Sequence, residues 1–277
     1  MFRFNPPLER LSRAKWSMVD LPEKPSSNIA VLHKALDLLE ALQAADKPRS
    51  LDQLVAATGL ARSTAHRLLL NLVSRGYVER AGANTFALGL KLLELGATVR
   101  QRQSLRDIAL PFMLNLRNEL GETVNLGRVR EGSVLYLETV ESEHAFRVSA
   151  SLGIRDPLHV TAIGKAILAW LPPERRPVLA DWRKLTPSTI TDPKKFDREL
   201  LLTRERGYAL DEEESMEGGR CIGVPILHLG SPVAGLSVSG PIARITTKRI
   251  KGIAATLQSA AAAISQQIRL LPSSEWA

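Results

Sequence analysis

The sequence has a single cysteine, Cys221, so no disulfide can close within the chain and no cluster of thiolates can hold a metal. Such usage fits a reducing compartment. No apolar run approaches the ~18 residues of a bilayer span, so no membrane partner is expected. The opening residues, MFRFNPPLERLSRAKW, are broken by Pro6, Pro7 and charges and do not read as a signal peptide. A cytoplasmic protein is therefore expected. The signatures of common enzymes are missing too. There is no G-x-G-x-x-G after a strand, no P-loop, no H-E-x-x-H and no C-x-x-C. Gly235-Leu236-Ser237-Val238-Ser239 falls short of a nucleophile elbow because it ends in serine. The histidines at 33, 66, 144, 159 and 228 have no metal-ligand spacing. No catalytic residue, cofactor or metal is expected.

What is present is an ordinary globular composition. The chain has 277 residues, of which 44% are hydrophobic and 24% charged. That length allows about two domains of ~100–200 residues each. The formal net charge is +8, compatible with an acidic partner. Residues 1–100 hold 14 Lys/Arg against 9 Asp/Glu, and the remainder hold 23 against 20. The charge density is greatest in the first third.

Residues 1–27 mix prolines, charges and aromatics without a period and read as a poorly ordered extension. A helix starts at Asn28, with Leu32, Ala35, Leu36, Leu39 and Leu42 as its stripe, and closes at Ala44–Pro48. Ser50-Leu51-Asp52-Gln53 is a capping box that starts a short helix burying Leu51, Leu54 and Val55. Gly59 stops it. A third helix follows, with Ala65, Leu68, Leu69, Leu72 and Val73 along one side. Gly76 ends it. Tyr77–Arg80 and Thr85–Leu88 then read as two short strands about a turn. Helix, short helix, turn, helix and hairpin make a winged helix-turn-helix.

The polar side of the third helix suits double-stranded DNA. A helix of ~13 residues fits the major groove, and its N-terminal half reaches the base edges. That half supplies Arg62, Ser63, Thr64, His66 and Arg67, and Asn71 lies one turn on. Arginine bonds guanine bidentately, and Ser and Thr bond bases or phosphates. The free amides of the helix start suit a phosphate oxygen. Arg80, Asn84 and Thr85 sit at the wing, where a hairpin touches backbone or minor groove, and Ser50 joins the DNA-facing set.

Residues 89–120 return to helical spacing. Leu90, Leu93 and Ala97 form one stripe, and Leu105, Ile108, Ala109, Phe112 and Leu116 another, with a kink or break expected at Pro111. The period then changes. Strands are expected at Thr123–Val129, Ser133–Glu138 and Ala145–Ser149, and later at Cys221–Leu227 and Val233–Ser239. Helices are expected at Gly164–Leu171, Lys194–Arg206 and Thr247–Leu270. The second part is thus a mixed α+β domain. Asp211-Glu212-Glu213-Glu214 reads as a solvated acidic loop, Cys221 as a small buried hydrophobe and His159 as a satisfied structural histidine.

Several stretches together carry a family resemblance. They are Ser63–Leu69 followed by Gly76-Tyr77-Val78, then Gly164–Ala169, then Asp211-Glu212-Glu213 leading to Gly219–Ile226, then Leu236–Pro241. In these the chain resembles IclR-type bacterial transcriptional regulators from about Asn28 to Ile268. The resemblance implies an α+β chain: a winged helix-turn-helix over 28–89, a linker helix over 90–104, a GAF-like effector-binding domain over 105–270 and a tail over 271–277. It implies homodimers or homotetramers on pseudo-palindromic operators, and a small-molecule effector, often an organic acid. It places Thr161, Ala162, Ile163, Asp211, Cys221, Ser237 and Ser239 around that effector. Ile163 stands where some acid-sensing relatives carry a smaller residue, which shrinks the pocket or makes it more apolar and points to an aromatic or differently shaped effector. Arg147 and Arg155 are candidates for a cationic contact or for plain solvent exposure. An enzyme, or an oligomerisation module built on the winged domain, is the alternative reading.

Overall fold

The first helix, α1 (Ser27–Gln43), turns Leu38 and Leu42 into the core and leaves Leu32 and Leu36 exposed. The expected stripe is thus displaced: the buried side runs through Ala35, Leu38, Leu39 and Leu42. Apolar side chains lie on more than one side of α1, so spacing alone does not single out the side that packs. Residues 27–45, 47–82, 84–101, 104–148, 155–179 and 181–269 are described by this computed structural model; the tail expected over 271–277 and the extension expected over 1–27 lie outside them, except Ser27, which opens α1. The chain divides between residues 102 and 103.

In the first unit, β1 (Arg49–Ser50) leads directly into α2 (Leu51–Thr58). Ser50 Oγ accepts from the Gln53 amide at 3.3 Å, and Gln53 Oε1 accepts from the Ser50 amide at 2.8 Å. This reciprocal cap satisfies two helix-start donors. Gly59 then adopts φ 68°, the left-handed turn a helix stop needs. After it, α3 (Arg62–Ser74) buries Ala65, Leu68 and Leu69. The wing is β2 (Val78–Arg80) and β3 (Thr85–Leu88), and β1 pairs with β3 on its other side, with Ser50 opposite Thr85. Sequence spacing shows nothing of β1, which is two residues long. Then α4 (Leu90–Gln101) begins, tied by the Lys91 amide to the Gly76 carbonyl. Leu90 and Leu93, expected as a buried stripe, are exposed. The side chain of Ala97 lies outside the described ones.

The second unit opens with α5 (Ser104–Leu120), one helix running through the exposed Pro111. Of the kink or break expected at the proline, the break is absent: the helix continues through it to Leu120. A six-stranded antiparallel sheet follows. Its strands are β4 (Thr123–Arg130), β5 (Ser133–Val140), β6 (Arg155–Pro157), β7 (Ala209–Glu212), β8 (Gly219–His228) and β9 (Ser231–Pro241), in the order β6-β5-β4-β9-β8-β7. The helices are α6 (Ala162–Trp170), α7 (Pro193–Arg206) and α8 (Ile250–Ile268).

Alternation assigns the faces. Val124, Leu126, Ile222, Val224, Ile226, Leu236 and Val238 form one core with α5 and α8. The residues between them face α6. There Gly223 and Gly235 let α6 lie on the backbone: a Cβ at Gly223 would stand 2.5 Å from the Ala162 carbonyl oxygen, and one at Gly235 2.9 Å from Ile163 Cγ2. At the edge, β7 pairs with β8 only as far as Gly223. Pro225 follows, where no strand needs its amide, and the Leu227 amide donates to Ser265 Oγ of α8 at 2.9 Å.

Two expectations fail here. Residues 145–148 are not a strand, and Ser149 lies outside the described residues. Phe146 is exposed and Arg147 is bonded to Glu141, so this alternation has no sheet face to bury against. Arg155–Pro157 pairs with β5 instead. The acidic run is not a solvated loop either: Asp211 lies in β7, and Asp211 and Glu214 are 1% and 5% exposed.

Candidate functional site

Two surfaces carry the residues singled out above. On the first unit, Arg62, Ser63, His66, Arg67 and Asn71 are exposed along α3, opposite its buried stripe, and Thr64 is half-buried. Arg62, Ser63 and His66 line one shallow groove with Leu51 and with Asn84 of the wing turn. Arg80 is not part of it. It lines a second depression with Arg75, Gly76 and Lys91. Thr85 sits across the strand from Ser50. Ala61 precedes α3 with no side-chain cap, so the first amides of that helix have no partner from its own N-cap. Two residues are engaged locally. Arg62 is ion-paired with Asp52 of α2, and Asn71 Nδ2 donates to the Arg67 carbonyl at 2.8 Å.

In the second unit the sheet face turned toward α6 is the floor of a cavity of about 280 Å³. All seven residues that the resemblance placed around an effector line it. Register explains the convergence. Cys221 pairs with Ser239 and Asp211 with Cys221, so these three form a row across β9, β8 and β7, and Asn125 pairs with Ser237 in the next row, across β4 and β9. A bulge after Leu126 sets Gly127 opposite Tyr136 and sends Glu138 to the other face, where it meets Arg106 of α5. Tyr136 therefore joins the floor, and Asp156 of β6 with it. The roof is Thr161, Ala162 and Ile163 at the start of α6. Thr161 Oγ1 accepts from the Gly164 amide at 3.0 Å, and the Thr161 carbonyl accepts from the Lys165 amide. The cap thus leaves the first two amides of α6, on the roof residues Ala162 and Ile163, without a bond from Thr161.

Sequence reasoning missed Asn125, Tyr136, Asp156 and Ser215 in this lining. Asn125 shares the phase of Ser237 once the pairing is known, and that pairing is the missing signal. Arg147 and Arg155 do not reach the cavity lining; they pair with Glu141 and Glu131. His159 is also outside the lining. It is fully buried against Trp182, and one ring nitrogen bonds the Arg183 carbonyl at 3.1 Å.

The electrostatics follow from burial. Burial pushes the Asp211 carboxyl up, against the pull of Lys165 and of hydrogen bonds from Ser215 and the Glu214 amide. Burial also raises the Cys221 thiol, with Asp211 adding to the shift, so the thiol stays neutral. Behind the row, Lys165 is 0% exposed and its Nζ meets Glu214 Oε1 at 2.5 Å. Glu214 Oε2 has no hydrogen-bond partner among the described residues. Burial pushes this carboxyl from 4.5 up to about 6, outweighing Lys165. The folded protein then holds the proton more tightly than the unfolded chain does. The stability this contributes is full below about 4.5 and is lost as pH rises through about 6. A shift of that size corresponds to about 2 kcal/mol. Denaturant melts of the parent and Glu214→Gln across that window should therefore diverge by that order, with the parent losing more as pH rises. Parallel curves would mean that Glu214 does not titrate there.

Residues 97–266 match the family model described as bacterial transcriptional regulator IclR C-terminal, and residues 31–82 match that of the IclR helix-turn-helix domain. The chain is 35% identical to the HTH-type transcriptional regulator KdgR of Escherichia coli, over 90% of this chain and 96% of that protein. The Thermotoga maritima IclR structure is 33% identical, with a TM-score of 0.69, covering 87% of this chain and 99% of that one. An IclR homolog from Microbacterium hydrocarbonoxydans, solved in complex with 4-hydroxybenzoate, is 26% identical with a TM-score of 0.73, covering 86% and 99%.

Proposed function

The chain belongs to the IclR family of bacterial DNA-binding transcriptional regulators, and from that premise we propose that the cavity under α6 takes a small organic acid whose binding changes operator affinity. The family is one of regulators and not of enzymes. The observation that carries the proposal is the convergence of seven residues from the start of α6, β7, β8 and β9 on one cavity whose roof is that helix start. Amides and dipole at a helix start favour a carboxylate. The 4-hydroxybenzoate held by the Microbacterium relative, itself an acid, supports the class.

At the other end, α3 enters the major groove. Arg62, Ser63, Thr64, His66 and Arg67 face bases and phosphates, and Asn71 reaches DNA after releasing the Arg67 carbonyl. Ser50, Asn84 and Thr85 contact the backbone beside them, and Arg80 serves the wing's outer side. Two such domains in a homodimer or homotetramer read half-sites of a pseudo-palindromic operator about 34 Å apart or a multiple of it. The protein acts in the cytoplasm; no helix among the described residues is long and apolar enough to cross a membrane.

Calorimetry with a panel of small aliphatic and aromatic acids, followed by operator titration with and without the one that binds, tests the coupling. Linkage requires the same factor in both directions, typically about 5–150-fold. Ser239→Ala should weaken the acid. An acid that binds without altering operator affinity would separate the cavity from regulation.

A further inference from the structure

The polar groups inside the cavity narrow the ligand further, given the acid site proposed above. Asn125 lies in mid-floor and is 2% exposed. Its Nδ2 donates to Ser239 Oγ at 3.1 Å and reaches Ser237 Oγ at 3.5 Å, while Oδ1 has no partner among the described residues. Exchanging the two ends of the amide only moves the unmet need to the nitrogen. Ser237, 3% exposed, accepts from Asn125, and no described group accepts its own proton. A buried acceptor and a buried donor therefore stand side by side without complements from the protein, a costly arrangement unless a ligand completes it.

The walls continue the pattern. Tyr136 is hydrogen-bonded to Asp156 at one side, and Ser215 donates to Asp211 at another. Among the described residues no lysine or arginine lines the cavity, and Tyr136 is the one aromatic there. A ligand hydroxyl accepts and donates at once, so it answers Ser237 and Asn125 together. A bare ring carbon answers neither, and a phenol brings a single hydroxyl where the floor and both carboxylate walls take several. We infer that the effector is a polyhydroxylated aliphatic acid, its carboxylate on the Ala162 and Ile163 amides and one hydroxyl between Asn125 and Ser237. Further hydroxyls face the two carboxylate walls.

The test is calorimetry of the full-length protein with erythronate, ribonate and gluconate, their unhydroxylated counterparts butanoate, pentanoate and hexanoate, and benzoate. At least one hydroxylated acid should bind about 100-fold more tightly than its counterpart and than benzoate, because buried polar groups left unpaired reject the analogue. Asn125→Leu should erase about 10-fold or more of that preference, with folding checked by thermal melting. Ser237→Ala, a smaller change, should lower it in the same direction if the leucine variant does not fold. Benzoate or hexanoate binding as tightly as the hydroxylated acids overturns the inference and leaves the acid site standing. Glucitol binding as tightly as gluconate removes the carboxylate site and leaves the hydroxyl site. Failure of every acid to bind removes both.

Discussion

Operator affinity is expected to fall about 10³–10⁵-fold as salt rises from ~50 to ~200 mM, the response of a dimer that makes roughly 6–10 phosphate contacts. The expectation rests on the exposed arginines of the winged domain and on the uncapped start of α3. Arg67 is the cleanest probe, because it is exposed and its guanidinium carries no ion pair among the described residues. If it neutralises a phosphate, Arg67→Ala should weaken all sequences alike and lower the salt slope by about one per protomer. If it reads a guanine, the loss should concentrate at one operator position. Arg62 differs. It is held by Asp52, and an exposed pair of this kind is worth only about 0–1 kcal/mol, so DNA can take the arginine away at small cost. Asp52→Asn should therefore tighten binding modestly. Fluorescence anisotropy over a salt series measures all of this. Arg62→Ala and Arg67→Ala that both bind like the parent would take α3 out of the interface.

The second large effect concerns stability. Glu214→Leu is expected to cost about 3–5 kcal/mol, because it leaves the Lys165 ammonium buried without its partner. Lys165 sits in the middle of α6, whose residues Ala162–Ala169 are all buried, so water cannot replace the carboxylate. Lys165→Met should cost less than Glu214→Leu. A lone Glu214 can take up a proton, which its raised affinity already favours. The double variant Lys165→Met/Glu214→Leu should lie closer to the parent than Glu214→Leu does, since an apolar pair of similar volume often replaces a buried ion pair without loss. Urea denaturation gives the three values. Additive losses would show that the two side chains do not act as a unit.

The sequence made the winged domain readable because its signals are local. A capping box, a left-handed glycine and a single apolar stripe each act within a few residues, as Ser50, Gly59 and α3 show. Where apolar residues crowd several sides, as in α1, local spacing does not choose between Leu36 and Leu38; packing against α2 and α3 does. The cavity was legible only where the resemblance supplied positions. Asn125 and Tyr136 depend on strand order and on a bulge, which are relations between segments far apart in the chain. Asp211 misleads for the same reason. Four acidic residues in a row suggest solvent, yet β8 pairs with Asp211 and Lys165 comes from another element to meet Glu214.

β7 begins at Ala209, opposite Gly223, and beyond that point the ring of Pro225 and the hydroxyl of Ser265 leave the Pro225 and Leu227 positions of β8 with no backbone donor on offer. A strand from a second molecule would find nothing there to zip onto. The sheet is sealed against growth along that border, so crowding in the cell does not stack copies into fibres from that side.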